Sequence, residues 1–295
     1  MIKKGETRKM AASIAKYFTL DTSLYPTTGL VFYKFDNSQA DNFVNDCLIP
    51  FREAYISDEK LKSIIDEYET PREVEILERL PIKADVKSGD FGEILSFYLA
   101  CAIWAPTVNV MPMKWRFKDK KDAPSHYTDI VLFKLGDPSD PTKMSANDAM
   151  ITFEVKTKAT KLGNQTYPTH KRKSYITYKD GRLECTILEA VFDANKDAVE
   201  RAAETIPYLK TRCKDLGLKI LHDQIDRFSK ATSVTYKKDH NAVAIVDSAH
   251  LADQIGRVPV DLLAQHPLVK TVYCLPIENL KTIYERVFSE MPKKA

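Results

Sequence analysis

Glycine is scarce in this chain, 9 of 295 residues, and none is followed by Lys-Ser or Lys-Thr. A Walker A phosphate loop is therefore absent, and any ATP-driven work would need a partner. Cysteine is scarce as well. Cys47, Cys101, Cys185, Cys213 and Cys274 are odd in number, scattered, and contain no C-x-x-C pair. That spacing excludes a disulfide framework and a Cys-rich zinc site, and it points to reduced, buried thiols in a cytoplasmic setting. Long apolar runs are missing too. The most apolar one, residues 91–105, is too short to span a bilayer and carries Glu93 near its start, so it reads as a buried helix and no membrane association is expected. The first six residues include two lysines but lead into no apolar stretch of signal-peptide type. Charge of one sign does not dominate either. Forty-four Lys and Arg against 41 Asp and Glu leave a net +3, too little for the totals to announce a nucleic-acid binder.

What is present suits an ordinary globular α/β protein, with 44% hydrophobic residues to build a sizeable core and no internal repeats. Residues 30–35 read as a strand, and Asp36-x-x-Gln39 as a capping box opening a helix through Phe51. Ser57 caps a second helix, and Thr70-Pro71-Arg72-Glu73 starts a third through about Leu80. Pro81 marks a boundary: residues 1–81 read as a small α/β appendage for docking or specificity, and 82–295 as a core with a C-terminal strand–helix extension. The core opens with the apolar helix over 94–103, which is apolar nearly all round, as expected of one packed on a sheet. Residues 108–117, 128–135 and 183–192 read as strands. Asp193 or Asn195 can cap a long helix over 198–216, which Gly217 stops. Strands over 242–246 and 269–275 and an amphipathic helix over 278–289 complete the chain.

The chemistry concentrates on residues 151–158. Ile151, Phe153 and Val155 alternate with Thr152, Glu154, Lys156 and Lys158, the mark of a strand with one buried face. Glu154 and Lys156 share the other face, about 6.6 Å apart at ~3.3 Å rise per residue. A carboxylate that can hold a divalent metal beside an ammonium that can neutralise a phosphate oxygen suits phosphodiester cleavage, although the same pattern decorates any solvated strand face. Asp129 opens the strand over 128–135. In a simple hairpin it lies near one end of the pair, and only splayed or bent strands bring it beside Glu154. Glu93 stands in the first turn of the preceding helix, where Asp90-x-x-Glu93 is equally a capping box. Three carboxylates and a lysine would suit one or two hard cations such as Mg²⁺ or Mn²⁺. Downstream, Lys171-Arg172-Lys173 lies among Tyr167, Tyr175 and Tyr178, a composition fitted to a DNA backbone and stacked bases, or simply to a solvated loop.

The order Gly92-Glu93, Asp129 and Glu154-x-Lys156, on helix, strand and strand, resembles the PD-(D/E)XK nuclease superfamily over about residues 81–246. More narrowly, residues 89–93, 128–133 and 153–158, and the chain length, are similar to the nuclease subunits of the Hachiman anti-phage defence system. The resemblance implies an α/β nuclease-like core with a mixed central sheet flanked by helices, Mg²⁺-dependent (or Mn²⁺-dependent) DNA cleavage, and a helicase partner. It makes Asp129 and Glu154 metal ligands, with the Val155 carbonyl completing the shell. Lys156 would orient the attacking water or stabilise phosphate charge, Glu93 would support the metal through water, and Lys158 and the 171–173 cluster would contact DNA. The Asp129 motif lacks the Pro of the superfamily's name, and no Gln-x-x-x-Tyr signature follows the lysine strand. The alternatives are a non-catalytic DNA-binding or regulatory subunit of a helicase complex, which an intact Glu154-x-Lys156 disfavours, and a stand-alone restriction-type endonuclease.

Overall fold

A computed structural model describes residues 4–23, 29–123, 127–140, 142–161, 185–229 and 235–295. Its centre is a mixed six-stranded sheet in the order β1-β2-β6-β5-β4-β3. The strands are β1 (Phe18–Asp21), β2 (Leu30–Phe35), β3 (Ile130–Lys134), β4 (Ala149–Lys158), β5 (Lys237–Asp247) and β6 (Val269–Ile277). The four inner strands β2, β6, β5 and β4 run parallel, and the two edge strands pair antiparallel to their neighbours. Parallel strands need covered faces, and both faces here carry helices.

Side-chain alternation shows which face each strand residue serves. Ile130, Leu132, Phe153, Val155, Val243, Ile245, Leu275 and Ile277 enter one apolar cluster. That cluster is closed by α1 (Lys4–Ala15), α2 (Ala40–Tyr55), α5 (Ala84–Leu99) and the C-terminal helix α9 (Leu280–Lys294), with α3 (Asp58–Tyr68) and α4 (Arg72–Leu77) on its rim. The alternate residues of β5 and β6, Ala242, Ala244, Val272 and Cys274, meet α6 (Thr186–Lys196). Val131, Phe133 and Met150 meet α7 (Ala202–Asp215) and α8 (Lys219–Asp226). All five cysteines are buried free thiols, as their spacing implied. Among the described residues no helix is long and apolar enough to cross a membrane.

Several expectations need revision. Residues 1–81 contribute β1 and β2 to this same sheet, β2 lying directly on β6, and their helices share the large cluster with α5 and α9. Strand pairing across more than two hundred residues leaves no local trace for a boundary at Pro81 to be judged against. The strand expected over 183–192 is, where described, helix α6. Ile187, Leu188, Ala190, Val191 and Ala194 recur at helical spacing and bury one stripe against the sheet. The strand expected over 108–117 reduces to one bridge, Val110 to Phe133, and a 3₁₀ turn at Lys114–Phe117. Pro112 has no N–H to continue a ladder. Asp193 and Asn195 lie inside α6 and cap nothing. Finally, α5 begins at Ala84, so Asp90 and Glu93 stand inside it, and the capping-box explanation of Glu93 falls away.

Candidate active site

Strand β3 pairs antiparallel with β4, Ile130 opposite Phe153, and one residue further out the same register sets Asp129 opposite Glu154. The two strands are not joined by a tight hairpin. The connection over 135–148 is long, so the register is set by side-chain packing rather than by a turn. Asp129 has the parity of Val131 and Phe133, and Glu154 that of Met150, so both face the α6–α7 layer. The Asp129 carboxylate accepts the Val155 N–H at 2.8 Å, which anchors it where the β3 ladder gives out. The expected role of Val155 concerned its carbonyl; the contact observed uses its amide.

The polar face of β4 is covered, contrary to the one-sided strand expected. Thr152 and Glu154 are each 3% exposed. Glu154 Oε1 accepts from Lys156 Nζ at 2.7 Å, and the same ammonium meets Asp193 of α6 at 2.8 Å. Glu154 Oε2 is buried and meets no N–H or hydroxyl donor among the described residues, its neighbour being the Asp197 carboxyl. Glu93 reaches this edge from the opposite layer, on α5, and its Oε2 accepts from Trp115 Nε1 at 3.1 Å. Gly92 lets α5 come this close. A Cβ there would run into the Thr157 hydroxyl and stand 3.2 Å from Thr157 Cβ and 3.3 Å from Ile245 Cδ1.

Crowded carboxylates in a dry site resist ionisation. Burial, then the charge of Glu154, pushes the Asp129 carboxyl up to about 7. Burial also raises Glu154 to about 7, with Lys156 opposing and Asp197 and Asp193 adding to the rise. Glu93 is raised well above the usual range by burial and then by Asp129. Lys156 is held well above its ordinary value by Glu154, Asp129 and Asp193, which outweigh its own desolvation.

Sequence reasoning missed four residues here. Lys114 is 1% exposed and donates to the carbonyl of Thr128, the residue before Asp129. Burial lowers its pKa, while Glu93, Asp129, Glu154 and Asp197 oppose that shift. Asp193, Asp197 and Arg201 line the helical layer above β4, with Asp197 and Arg201 bounding a π turn between α6 and α7. Their four-residue spacing was visible, but the expected break before residue 198 hid it. Lys158 ends β4 on the same face as Glu154 and Lys156. Lys171, Arg172 and Lys173 lie outside the described residues.

The fit to a divalent cation can be tested on the donors themselves. Among the described residues, no three His, Cys, Asp or Glu side chains stand together as a ready metal cage. Two facing carboxylates and a buried Glu154 oxygen without an N–H or hydroxyl donor are present. That donor set suits Mg²⁺ or Mn²⁺, which take one or two protein carboxylates and keep water and substrate phosphate for the rest.

A family model, HamA, matches residues 15–291. No curated protein matches the chain.

Proposed function

The chain belongs to the HamA family, a component of the Hachiman defence system, and from that premise we propose that it is the system's metal-dependent DNA endonuclease, working beside a helicase subunit. One observation carries the reading. Asp129 and Glu154 face each other across two strands, with Lys156 on the same face, and Glu154 keeps a buried oxygen that no N–H or hydroxyl donor among the described residues reaches.

Asp129, Glu154 and the Val155 carbonyl would hold Mg²⁺ or Mn²⁺. When bound, such an ion supplies Lewis-acid polarisation of a phosphoryl oxygen and acidifies a coordinated water. The chain's own residues do the rest. The Val155 N–H fixes Asp129 on the Glu154 side of the sheet. Lys156, held strongly cationic, offers its charge to the phosphate as negative charge develops there. Its contact with Asp193 ties the ammonium to α6 until phosphate competes for it. Lys114 holds the chain at Thr128 and offsets part of the acidic charge from inside. Glu93 supports the arrangement from α5. Lys158, Lys171, Arg172 and Lys173 are the proposed contacts to the DNA backbone.

The test is metal-dependent nicking of plasmid DNA by the chain purified with its helicase partner, with and without ATP. Replacing Glu154 and Lys156 together by Ala is expected to reduce nicking by roughly three orders of magnitude or more, while leaving fold and partner binding intact. Unchanged nicking by that variant removes the nuclease reading and leaves a regulatory subunit. Cutting of a defined sequence by the chain alone favours a stand-alone restriction-type enzyme.

A further inference from the structure

The helical layer over the site carries a regular stripe: Asp193, Asp197, Arg201 and Thr205, each four residues from the next. Both ends of the stripe are pinned. Asp193 reaches Lys156 Nζ at 2.8 Å, and Thr205 Oγ1 donates to Thr128 Oγ1 at 3.2 Å, beside Asp129. Asp197 therefore sits between these two anchor points, above the facing pair Asp129 and Glu154. It is 2% exposed, and its carboxyl lies against the Thr128 hydroxyl and the Glu154 carboxyl, with no N–H donor among the described residues on its Oδ2. Its Oδ1 lies 3.2 Å from Arg201, whose side chain is 36% exposed. Glu154 Oε2, on the strand beneath, likewise meets no N–H or hydroxyl donor among the described residues, so these two neighbouring carboxyls can satisfy one another only by sharing a proton, the place a cation can take. The backbone also departs from regularity here, with a π turn at Asp197–Arg201. Such widened turns recur at functional sites, and this one sets the phase of the stripe over the strands.

A buried carboxylate oxygen without a donor is costly, and folds keep one where a cation or an ordered water completes it. We propose that Asp197 is an additional carboxylate of the metal site, holding a water on the ion bound by Asp129 and Glu154. The proposal rests on the metal-dependent reading given above. A water-mediated role also fits the spacing, because no three carboxylates among the described residues form a direct cage. Hard cations of this kind retain several waters, and side chains that hold those waters set affinity.

The experiment is Mn²⁺ titration of the full chain, with free Mn²⁺ read by electron paramagnetic resonance and folding checked by near-ultraviolet circular dichroism. Asp197→Asn keeps the shape and removes the charge, and is expected to weaken Mn²⁺ about 10–100-fold. Asp129→Asn and Glu154→Gln are expected to abolish saturable binding. Arg201→Gln, a change at a partly exposed side chain, frees Asp197 from its ion pair and should tighten Mn²⁺ several-fold. If Asp129→Asn abolishes binding while Asp197→Asn and Arg201→Gln both match the parent, Asp197 is only the counterion of Arg201 and the inference is overturned. A parent chain with no saturable Mn²⁺ binding overturns the metal-dependent reading itself, and Asp197's role with it. Should Asp197→Asn fail to fold, Asp197→Ser, which also removes the charge, takes its place: weaker Mn²⁺ binding than the parent supports the role, and unchanged binding ends it.

Discussion

Strand β4 carries buried charge near both of its ends, and the two groups are built on opposite principles. Just before the strand, Arg227 and Asp148 form a closed pair, 0% and 1% exposed. The guanidinium grips both carboxylate oxygens, at 2.7 and 3.0 Å, and spends its remaining nitrogen on the carbonyls of Asp137 and Asp140. Asp148 is completed by the amides of Gly136 and Ser145. One acid meets one base, and residues 136–140 and 145–148 are tied to it. Towards the other end, Glu93, Asp129, Glu154, Asp193 and Asp197 outnumber Lys114, Lys156 and Arg201, and the carboxyls of Glu154 and Asp197 lean on each other for want of a donor. A balanced, fully bonded pair holds structure. A surplus of buried acid leaves room for an added cation, and chemistry belongs there.

The largest effect should come from breaking the closed pair. Arg227→Met leaves Asp148 buried without its partner and is expected to cost about 3–5 kcal/mol. Glu154→Gln removes charge from the crowded end and should leave the metal-free chain as stable as before, or more so. Urea denaturation of both variants without metal checks the contrast. A mild Arg227→Met and a severe Glu154→Gln would reverse the assignment of the two groups.

Acidity sharpens the same contrast. Glu154 rises from an ordinary 4.5 to about 7 in the folded chain. Between those values the native state binds more protons than the unfolded one, so stability is greatest below about 4.5 and declines as pH climbs to about 7. For a group this deeply buried the decline is on the order of a few kcal/mol, and Asp129, raised from 3.8 to about 7, adds a decline of the same sign. Denaturation midpoints of the metal-free chain should therefore fall across that window, and Glu154→Gln should flatten the slope. Adding Mn²⁺ should restore stability most at the alkaline end, where no proton has to be displaced. A slope unchanged in Glu154→Gln would mean that Glu154 ionises normally.

How much of this could be read from the sequence depended on range. The alternation of residues 151–158 identified β4, and the order Glu93, Asp129, Glu154, Lys156 identified most of the acidic end, because strand periodicity and motif spacing are local properties. The strand over 30–35 was equally plain, but its place beside β6 depends on a pairing with residues 272–274 that no local pattern encodes. Residues 185–192 misled for another reason: β-branched and aromatic side chains suggest strand, and only the burial stripe against β5 and β6 decides for helix. Lys114 was passed over because a lysine in an apolar stretch reads as a surface residue until four carboxylates are found around it. Asp148 and Arg227 lie 79 residues apart and gave no signal at all.

Two glycines offer the finest comparison, one at each end. Gly136 serves the closed pair: its amide donates to Asp148 at 2.7 Å, and an added Cβ would lie 2.7 Å from Asn147 Cβ and 3.0 Å from the Asn147 backbone. Gly92 serves the acidic end by letting α5 touch Thr157 and Ile245 of the sheet, one residue before Glu93. Alanine at either position overpacks its contact and should cost about 1–3 kcal/mol. Stability alone will not separate them, but metal will. Gly92→Ala has to turn Thr157 and still crowds Thr157 Cβ and Ile245 Cδ1, which pushes α5 outward and Glu93 with it, so Mn²⁺ should bind more weakly than to the parent. Gly136→Ala strains a loop tied to Arg227 and should leave Mn²⁺ affinity where it was. Equal losses of affinity in the two variants would mean that the ends of β4 communicate through the strand, and the division of labour between them would have to be given up.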